Sequence, residues 1–324
     1  MPLVPPDDCE VFVSKPMPEG PLHELTSRFR VAVGHPERPT TVEELAIACR
    51  SARAVVAMLT DRIDLELIGR ATNLRVVSNF AVGVNNIDLD ACRARGLWVT
   101  NTPDVLTDAT ADLTMTLLLA CARRLTQSEA ELRANRWQGW TPMHGWALPY
   151  GKLGIIGLGR IGQAVAKRAQ AFGIEVRHHS PNAKAGDALG VEGVALEELL
   201  AWADVVSVHC PLTLETRHLI DRKRLWQMRR GAILINTSRG PVVDEEAVAE
   251  ALELAQLGAV GLDVFESEPL VDSRLLSAPN AILVPHIGSA TNQARTAMAS
   301  LAAGAVVDVL EGRAPKHPIV RPGA

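Results

Sequence analysis

The stretch from Gly151 to Ser180 restricts the fold of this chain more than any other part of the sequence. An apolar run at Leu153–Ile156 is followed by three glycines in G-x-G-x-x-G spacing and then by a helical pattern over Ala164–Phe172. The glycines are Gly157, Gly159 and Gly162. In a dinucleotide-binding fold such a turn lets the backbone approach a pyrophosphate, and the following helix offers N–H groups to the phosphates. The stretch therefore predicts a dinucleotide site, the alternative being a glycine-rich turn without a ligand.

The rest of the chain alternates between short apolar segments and helical patterns, both before and after this stretch. Such alternation is typical of parallel sheets that are covered by helices on both faces. The sequence predicts an α/β protein with two doubly wound parallel-sheet domains, in which the dinucleotide (Rossmann) domain is inserted into the other domain. The predicted domains are 1–102 with 290–324, and 103–289.

Composition excludes several classes of function. The net charge is −4, and no block of Lys and Arg of the kind that neutralises nucleic-acid phosphates occurs. The five cysteines are scattered without a C-x-x-C pair, which favours reduced thiols in a cytoplasmic enzyme over a disulfide framework or a zinc site. Charged residues bracket the apolar run Leu117–Cys121 too closely for a membrane span. We expect no nucleic-acid, membrane or metal partner.

A long helical pattern over Asp104–Leu125 is apolar on nearly every side. Helices of this kind are buried all round, either in a core or in a subunit interface. The loop that follows, Trp137–Tyr150, contains three of the six tryptophans, and the large side chains of these three also require burial. We therefore predict a homodimer in which this helix and loop are buried between subunits, with Trp140 reaching the substrate pocket of the partner. Burial within one subunit is the alternative.

Three polar side chains, Arg239, Glu268 and His286, come directly after predicted strands. In open α/β sheets, ligands bind beyond the carboxyl ends of the strands. An arginine fork binds a carboxylate with two hydrogen bonds, a histidine exchanges a hydroxyl proton, and a carboxylate orients the imidazole and favours its protonated form. Together they predict a substrate with a carboxylate and a carbonyl, reduced by hydride from a nicotinamide. Each residue alone also fits a structural role, as a cap, a helix-end contact or a solvated carboxylate.

Six blocks of the sequence carry a resemblance to one family: Ser78–Asp90, Val99–Arg124, Gly154–Gly173, Leu234–Ala247, Gly261–Pro269 and Pro285–Thr291. In these blocks the chain resembles the D-isomer-specific 2-hydroxyacid dehydrogenases, and among them the glyoxylate/hydroxypyruvate reductases. The resemblance implies NAD(P)H-dependent reduction of a small 2-keto acid, such as glyoxylate or hydroxypyruvate, to the D-2-hydroxy acid. One departure is Asn85, where the family usually has Asp.

The resemblance also implies roles for individual residues. Arg239 would bind the substrate carboxylate together with the backbone of Val82 and Gly83, His286 would be the acid/base, and Glu268 its partner. Besides the three glycines, the implied cofactor contacts are Thr107, Arg160, Ile161, Ser180, Cys210, Pro211, Thr216, Thr237, Asp263 and Gly288, with Asp263 holding the nicotinamide carboxamide. The domain formed by both chain ends would bind substrate, and the dimer would form around the helix after Pro103.

Two other functions stay open on the sequence. One is a D-lactate-type or other D-2-hydroxyacid dehydrogenase. The other is a dinucleotide-sensing binding protein, since the family resembles transcriptional co-repressors that keep the same fold.

Cofactor choice has its own signal at Ser180. NAD-specific folds place an Asp or Glu near the end of the second strand, about 20 residues beyond the glycines, to bind the ribose 2′-OH. The corresponding residue here is Ser180, and no carboxylate occurs from Val176 to Gly186. A 2′-phosphate would meet no repulsion there, and Ser180, His179 and Lys184 are candidates to bind it. We predict that NADP(H) is favoured and NAD(H) accepted, although similar NADP-using reductases have an arginine where this chain has Pro181.

Overall fold

The computed structural model describes residues 8–140, 145, 151–181 and 183–323. The chain divides into two compact units, the first formed by 1–106 with 290–324 and the second by 107–289. The first boundary falls four residues later than the sequence suggests, because a helix begins at Thr107 and the preceding turn stays with the first unit.

The first unit contains a six-stranded sheet. Its strands are β1 (Val11–Val13), β2 (Val31–Val33), β3 (Ala54–Ala57), β4 (Val76–Asn79), β5 (Trp98–Thr100) and β13 (Pro318–Val320), in the order β13-β5-β4-β3-β1-β2. Its helices are α1 (Glu19–Thr26), α2 (Val42–Ser51), α3 (Leu65–Arg70), α4 (Leu89–Arg95) and α12 (Asn292–Leu310). The strands pair in parallel except for β13, which runs antiparallel to β5. The alanine-rich α12 packs on this sheet, where the Ser78 hydroxyl donates to the Ala302 carbonyl at 3.1 Å.

The second unit contains a seven-stranded, fully parallel sheet. Its strands are β6 (Lys152–Ile156), β7 (Glu175–His179), β8 (Glu192–Gly193), β9 (Val205–Val208), β10 (Ala232–Asn236), β11 (Leu257–Leu262) and β12 (Ala281–Leu283). Its helices are α5 (Thr107–Ala122), α6 (Leu125–Arg133), α7 (Arg160–Ala171), α8 (Leu196–Trp202), α9 (Arg222–Gln227), α10 (Glu245–Glu253) and α11 (Ser273–Ser277). Short 3-10 helices occur at Ala183–Leu189 and Gly240–Val242.

The strand order of the second sheet positions the site. The order is β12-β11-β10-β9-β6-β7-β8, so the chain leaves β6 toward β7 and β8 and then returns to the other side of β6 at β9. The carboxyl ends of β6 and β9 therefore flank a topological switch point, where doubly wound sheets bind their ligands. Both faces of the sheet are buried, with Ile155 and Ile235 in one core cluster and Ile156 and Leu234 in the other. The predicted fold class is confirmed.

Helix α5 is shorter than the pattern over Asp104–Leu125 suggests, because Asp104 and Arg124 both adopt left-handed backbone conformations. Most of its apolar side chains are already buried within the second unit, in the cluster that includes Leu118 and Ile155. Burial within one subunit therefore accounts for this helix without an interface.

Four of the exposed large apolar side chains lie on α6 and the segment after it, and others are scattered over the described residues. The four are Leu125 (59%), Leu132 (59%), Trp137 (64%) and Trp140 (91%). The rest of the tryptophan-rich loop, 141–144 and 146–150, lies outside the described residues. In the part of the chain that the structure describes, no helix has the length and apolar character that a membrane crossing requires.

Candidate active site

The glycine turn between β6 and α7 has the geometry that a dinucleotide needs. Gly157 has a φ of +92°, and a Cβ there would lie 2.6 Å from the Cys210 nitrogen. A Cβ on Gly162 would lie 2.3 Å from the Gly157 carbonyl oxygen, so α7 packs against the turn only with glycine at this position. At Gly159, by contrast, a Cβ would meet no other described atom within 4 Å. Gly159 is also the N-cap residue of α7, and no side chain caps the helix there. The backbone N–H groups of the helix N-terminus are therefore open to a pyrophosphate.

The other predicted cofactor residues of the second unit lie around this turn and the neighbouring strand ends. Arg160 and Ile161 form the first turn of α7, and Thr107 begins α5. Ser180, Cys210 with Pro211, Thr237 and Asp263 follow β7, β9, β10 and β11. The Thr216 hydroxyl donates to the Pro211 carbonyl at 2.6 Å, and the hydroxyls of Thr237 and Thr114 are 2.8 Å apart. Burial raises the pKa of the Cys210 thiol to about 11, so this cysteine is a neutral thiol rather than a nucleophile.

His286 and Glu268 form a hydrogen-bonded pair at the same edge of the sheet. The Nδ1 atom of His286 lies 2.8 Å from Oε2 of Glu268, and the Phe265 N–H donates to the other carboxylate oxygen at 3.1 Å. Because an ionised carboxylate only accepts hydrogen bonds, this network assigns the proton to Nδ1. The Nε2 atom is therefore the nitrogen that remains to exchange a proton with a substrate.

The environment of Glu268 keeps it ionised. Burial by itself raises the pKa of Glu268. The hydrogen bond and charge of His286, the Phe265 N–H and the charge of Arg239 act in the opposite direction and together hold that pKa below its ordinary value. A carboxylate that stays charged stabilises a protonated imidazole, which is the form that donates a proton to a carbonyl oxygen.

Arg239 is positioned by a turn that follows β10. The Asn236 side chain donates to the Arg239 carbonyl at 3.0 Å and accepts from the Ser238 N–H at 3.0 Å. A Cβ on Gly240 would lie 1.8 Å from the Phe265 carbonyl oxygen, so glycine allows the turn to touch the loop that carries Glu268. Burial lowers the pKa of Arg239, and the negative charge of Glu268 opposes this effect only in part. The guanidinium still remains charged, as arginine does throughout proteins.

Asp263 fixes the segment that carries His286. Its two carboxylate oxygens accept from the Ile287 N–H at 2.5 Å and the Gly288 N–H at 2.8 Å. Burial is the main influence on the pKa of Asp263, which is raised in spite of these two bonds and the His286 charge. His286 itself has a φ of +53°, an uncommon conformation for a residue with a side chain, and the Asp263 bonds hold the backbone just beyond it. The role of Asp263 toward a nicotinamide carboxamide stays a prediction.

Two residues that organise the site were not predicted from the sequence. Asn236 forms the turn described above, and its signal is an amide at a strand end directly before Thr237-Ser238-Arg239. Glu245, in the first turn of α10, accepts from the Glu266 N–H and the Asp272 N–H, both at 2.7 Å. These two bonds bracket Glu268 and hold its loop. A glutamate in the first turn of a helix carries no signal of such a role, because acidic residues are common there.

The other residues singled out from the sequence belong to the first unit or to the segment after α6. Val82 and Gly83 are in the first unit, on the segment that follows β4, and both are half-buried. Trp140 is exposed, and its proposed contact with a partner subunit stays a prediction. Asn85, where the family usually has Asp, is also exposed.

Comparisons with known proteins place the chain among similar sequences and structures of one family. The model of the D-isomer specific 2-hydroxyacid dehydrogenase NAD binding domain matches residues 115–288. A glyoxylate reductase from Thermococcus litoralis is 42% identical over 316 residues, which cover 95% of this chain and 96% of that protein. A solved protein from Thermus thermophilus is 46% identical with a TM-score of 0.90 and coverages of 96% and 100%. An NADPH-dependent glyoxylate/hydroxypyruvate reductase from Sinorhizobium meliloti, solved with NADP and malonate, is 31% identical with a TM-score of 0.86 and coverages of 98% and 99%.

The dinucleotide turn and the comparisons define the chain as an NAD(P)-dependent oxidoreductase. The chain belongs to the D-isomer-specific 2-hydroxyacid dehydrogenase family. Its family resemblance, its enzyme class and its NAD(P)-binding domain, all predicted from the sequence, are thereby confirmed.

Proposed function

We propose that this enzyme reduces glyoxylate and hydroxypyruvate to the corresponding 2-hydroxy acids, with NADPH as the favoured cofactor. The observation that carries the proposal is the His286–Glu268 pair, 2.8 Å between Nδ1 and Oε2, at the sheet edge that also carries Arg239. The glyoxylate reductase name of the relative from Thermococcus litoralis supports the substrate class.

In this proposal each residue has one task. The glycine turn of Gly157, Gly159 and Gly162 would hold a nicotinamide cofactor, which when bound would supply the hydride for the carbonyl carbon. His286 donates the Nε2 proton to the carbonyl oxygen, so one hydride and one proton convert the 2-keto acid to the 2-hydroxy acid. Arg239 holds the substrate carboxylate with its guanidinium fork. In the first unit, the N–H groups of Val82 and Gly83 are the proposed carboxylate donors. Glu268 retains its negative charge and stabilises the imidazolium before transfer.

The direct test is turnover of NADPH and NADH with glyoxylate, hydroxypyruvate and pyruvate by the purified protein. The proposal requires that glyoxylate and hydroxypyruvate have higher kcat/KM values than pyruvate. Preference for pyruvate would favour a D-lactate-type dehydrogenase. Tight dinucleotide binding without turnover of any keto acid would favour a dinucleotide-sensing protein.

The preference for NADPH is proposed from the absence of a carboxylate after β7. Ser180 directly follows that strand, and His179 Nδ1 lies 3.1 Å from the Val194 carbonyl oxygen. The side chain of Lys184, the third predicted phosphate contact, lies outside the described residues. The solved relative from Sinorhizobium meliloti that contains NADP supports this choice.

We expect Ser180→Asp to shift the ratio of kcat/KM values for NADPH and NADH toward NADH by about tenfold or more, because a carboxylate repels a 2′-phosphate. The ratio is measured with saturating glyoxylate. The matched control is Ser277→Asp, which adds the same charge on the exposed face of α11 and should leave the ratio unchanged. A wild-type ratio that favours NADH, or a ratio unmoved in Ser180→Asp, would refute the preference.

We also propose that the enzyme is a homodimer whose interface includes α6 and the tryptophan segment. The support is the exposure of four large apolar side chains within one stretch of the chain, Leu125, Leu132, Trp137 and Trp140, because exposed apolar surface favours contact with another protein. Trp140 is the candidate to enter the partner's substrate pocket.

Sedimentation should give a dimer at micromolar concentration for the wild type, and a monomer for the double substitution Leu125→Asp with Leu132→Asp. Two charges placed in an apolar contact are desolvated without partners, which opposes association. Leu276→Asp, at a leucine of α11 that is 66% exposed, is the control and should remain dimeric. A monomeric wild type would rule the proposal out.

A further inference from the structure

We propose that Asn101 is a positioning residue for the substrate: its side-chain amide fixes the peptide that presents the Gly83 N–H. This inference rests on the proposed function, in which the N–H groups of Val82 and Gly83 bind the substrate carboxylate. It concerns the first unit alone, and it assigns a role to a residue outside the catalytic set.

The segment after β4 is held through three successive carbonyl groups. The bonds are Thr102 N–H to the Ala81 carbonyl at 3.0 Å, Asn101 Nδ2 to the Val82 carbonyl at 2.8 Å, and Asn79 Nδ2 to the Gly83 carbonyl at 2.8 Å. One donor belongs to the backbone and two belong to asparagine side chains. Each peptide of this short segment therefore has one defined orientation.

The orientation of each carbonyl also decides where an N–H points. The C=O and N–H of a trans peptide lie in one plane and point in opposite directions. The Val82 carbonyl and the Gly83 N–H belong to the same peptide, so the Asn101 amide turns that N–H to the opposite side. The Thr102 N–H acts in the same way, through the Ala81 carbonyl, on the Val82 N–H.

The two N–H groups that result are both available to a ligand. Among the described residues, neither Val82 N–H nor Gly83 N–H donates a hydrogen bond. Backbone N–H groups are strong hydrogen-bond donors, so two neighbouring ones without a partner can both serve an anionic ligand. A carboxylate has two oxygens to accept from two such donors.

Asn101 is the side chain best placed to test this role. It follows β5 and is half-buried, and its own N–H donates to the His317 carbonyl at 3.4 Å. Asn79 is fully buried and shares hydrogen bonds with Asn86, whose amide reaches the carbonyls of Met58 and Asp61. Replacing Asn79 would disturb this whole network, whereas replacing Asn101 removes one donor from one carbonyl.

Two substitutions remove the donor in different ways. Asn101→Ala deletes the amide, and Asn101→Asp keeps its shape but replaces the donating nitrogen with an acceptor oxygen. For both we expect KM for glyoxylate to rise about tenfold, the effect of losing one hydrogen bond that orders a binding group. kcat should stay within about threefold, because the bond acts on the ground state and the transition state alike. KM for NADPH should not change, because the glycine turn is untouched. Oxalate should bind the enzyme–NADPH complex about tenfold more weakly by calorimetric titration.

The control is Asn73→Ala. Asn73 also donates from its side chain to a backbone carbonyl of the first unit, that of Arg50 at 3.2 Å, but it is exposed and belongs to a different turn from Val82. Thermal unfolding reports whether each variant folds, and one folded variant at position 101 suffices. Unchanged KM and oxalate affinity in that variant, or a loss confined to kcat, would overturn the role of Asn101. A wild type that neither reduces glyoxylate nor binds oxalate would overturn the proposed function itself, and this inference with it.

Discussion

Replacing His286 with alanine should lower kcat for glyoxylate reduction by about 10²–10⁴-fold, the usual contribution of a general acid. The Nδ1 atom of His286 is occupied by Glu268 at 2.8 Å, so Nε2 is the only imidazole nitrogen left to protonate the carbonyl oxygen. Without it the alkoxide that develops during hydride transfer has to take its proton from water. The dissociation constant for NADPH, measured by fluorescence titration, should change little, because the glycine turn of α7 is untouched.

The chain offers a closely matched control in His218. This histidine also has a positive φ and also hydrogen-bonds a glutamate, with Nε2 2.7 Å from Oε1 of Glu266. His218→Ala should therefore show the cost of losing a histidine–glutamate pair in the same unit, and we expect kcat to stay within about twofold since no proton transfer depends on it. Near-normal turnover in His286→Ala, or equal losses in both variants, would contradict the assignment of His286.

Replacing Arg239 with alanine should lower kcat/KM for glyoxylate by about 10²-fold or more, because a guanidinium–carboxylate pair contributes two charge-assisted hydrogen bonds. The loss should fall mainly on substrate use, and NADPH affinity should be nearly unchanged. Removing Arg239 also removes a positive charge that lowers the pKa of Glu268, so part of the effect acts through the acid–base pair. Steady-state kinetics with glyoxylate varied at saturating NADPH measures the effect.

Two further variants separate charge from geometry. Arg239→Lys keeps the charge but lacks the planar fork, and it should recover only part of the lost kcat/KM. Arg229→Ala removes an arginine from the opposite end of β10, where it pairs with Asp204 at 2.6 Å, and it should behave as the wild type. Full activity in Arg239→Lys would show that a point charge suffices, and full activity in Arg239→Ala would remove the residue from the site.

The sequence predicts the fold well wherever structure follows from local pattern. Parallel strands buried on both faces form apolar runs, and the turns between them are marked by Gly, Pro and capping residues. Elements without such a pattern were not predicted. Helix α6 buries none of its residues, so no core-facing apolar stripe marks it, and β8 has two exposed residues. Strand β13 exists because it pairs with β5, which lies far earlier in the chain, and no local feature encodes that contact.

For the site, the rule that ligands bind beyond strand ends was sufficient to predict that Arg239, Glu268 and His286 lie at one edge of the sheet. What it could not predict is how they are held. The Asp263 bonds to the Ile287 and Gly288 N–H groups, and the Glu245 bonds on either side of Glu268, join backbone groups to side chains that are distant in sequence. Such bonds depend on the packed arrangement of whole loops, which residue type and spacing do not determine.

The left-handed backbone at His286 makes this position a compromise between the stability of the fold and proton transfer. A residue with a side chain is less stable in that conformation than in ordinary regions by about 1–2 kcal/mol, and here it is maintained by the Asp263 bonds just beyond it. A glycine would relieve the strain but would remove the imidazole. Selection for a more heat-resistant enzyme therefore has to act elsewhere in the chain, since the easiest local improvement would abolish proton transfer.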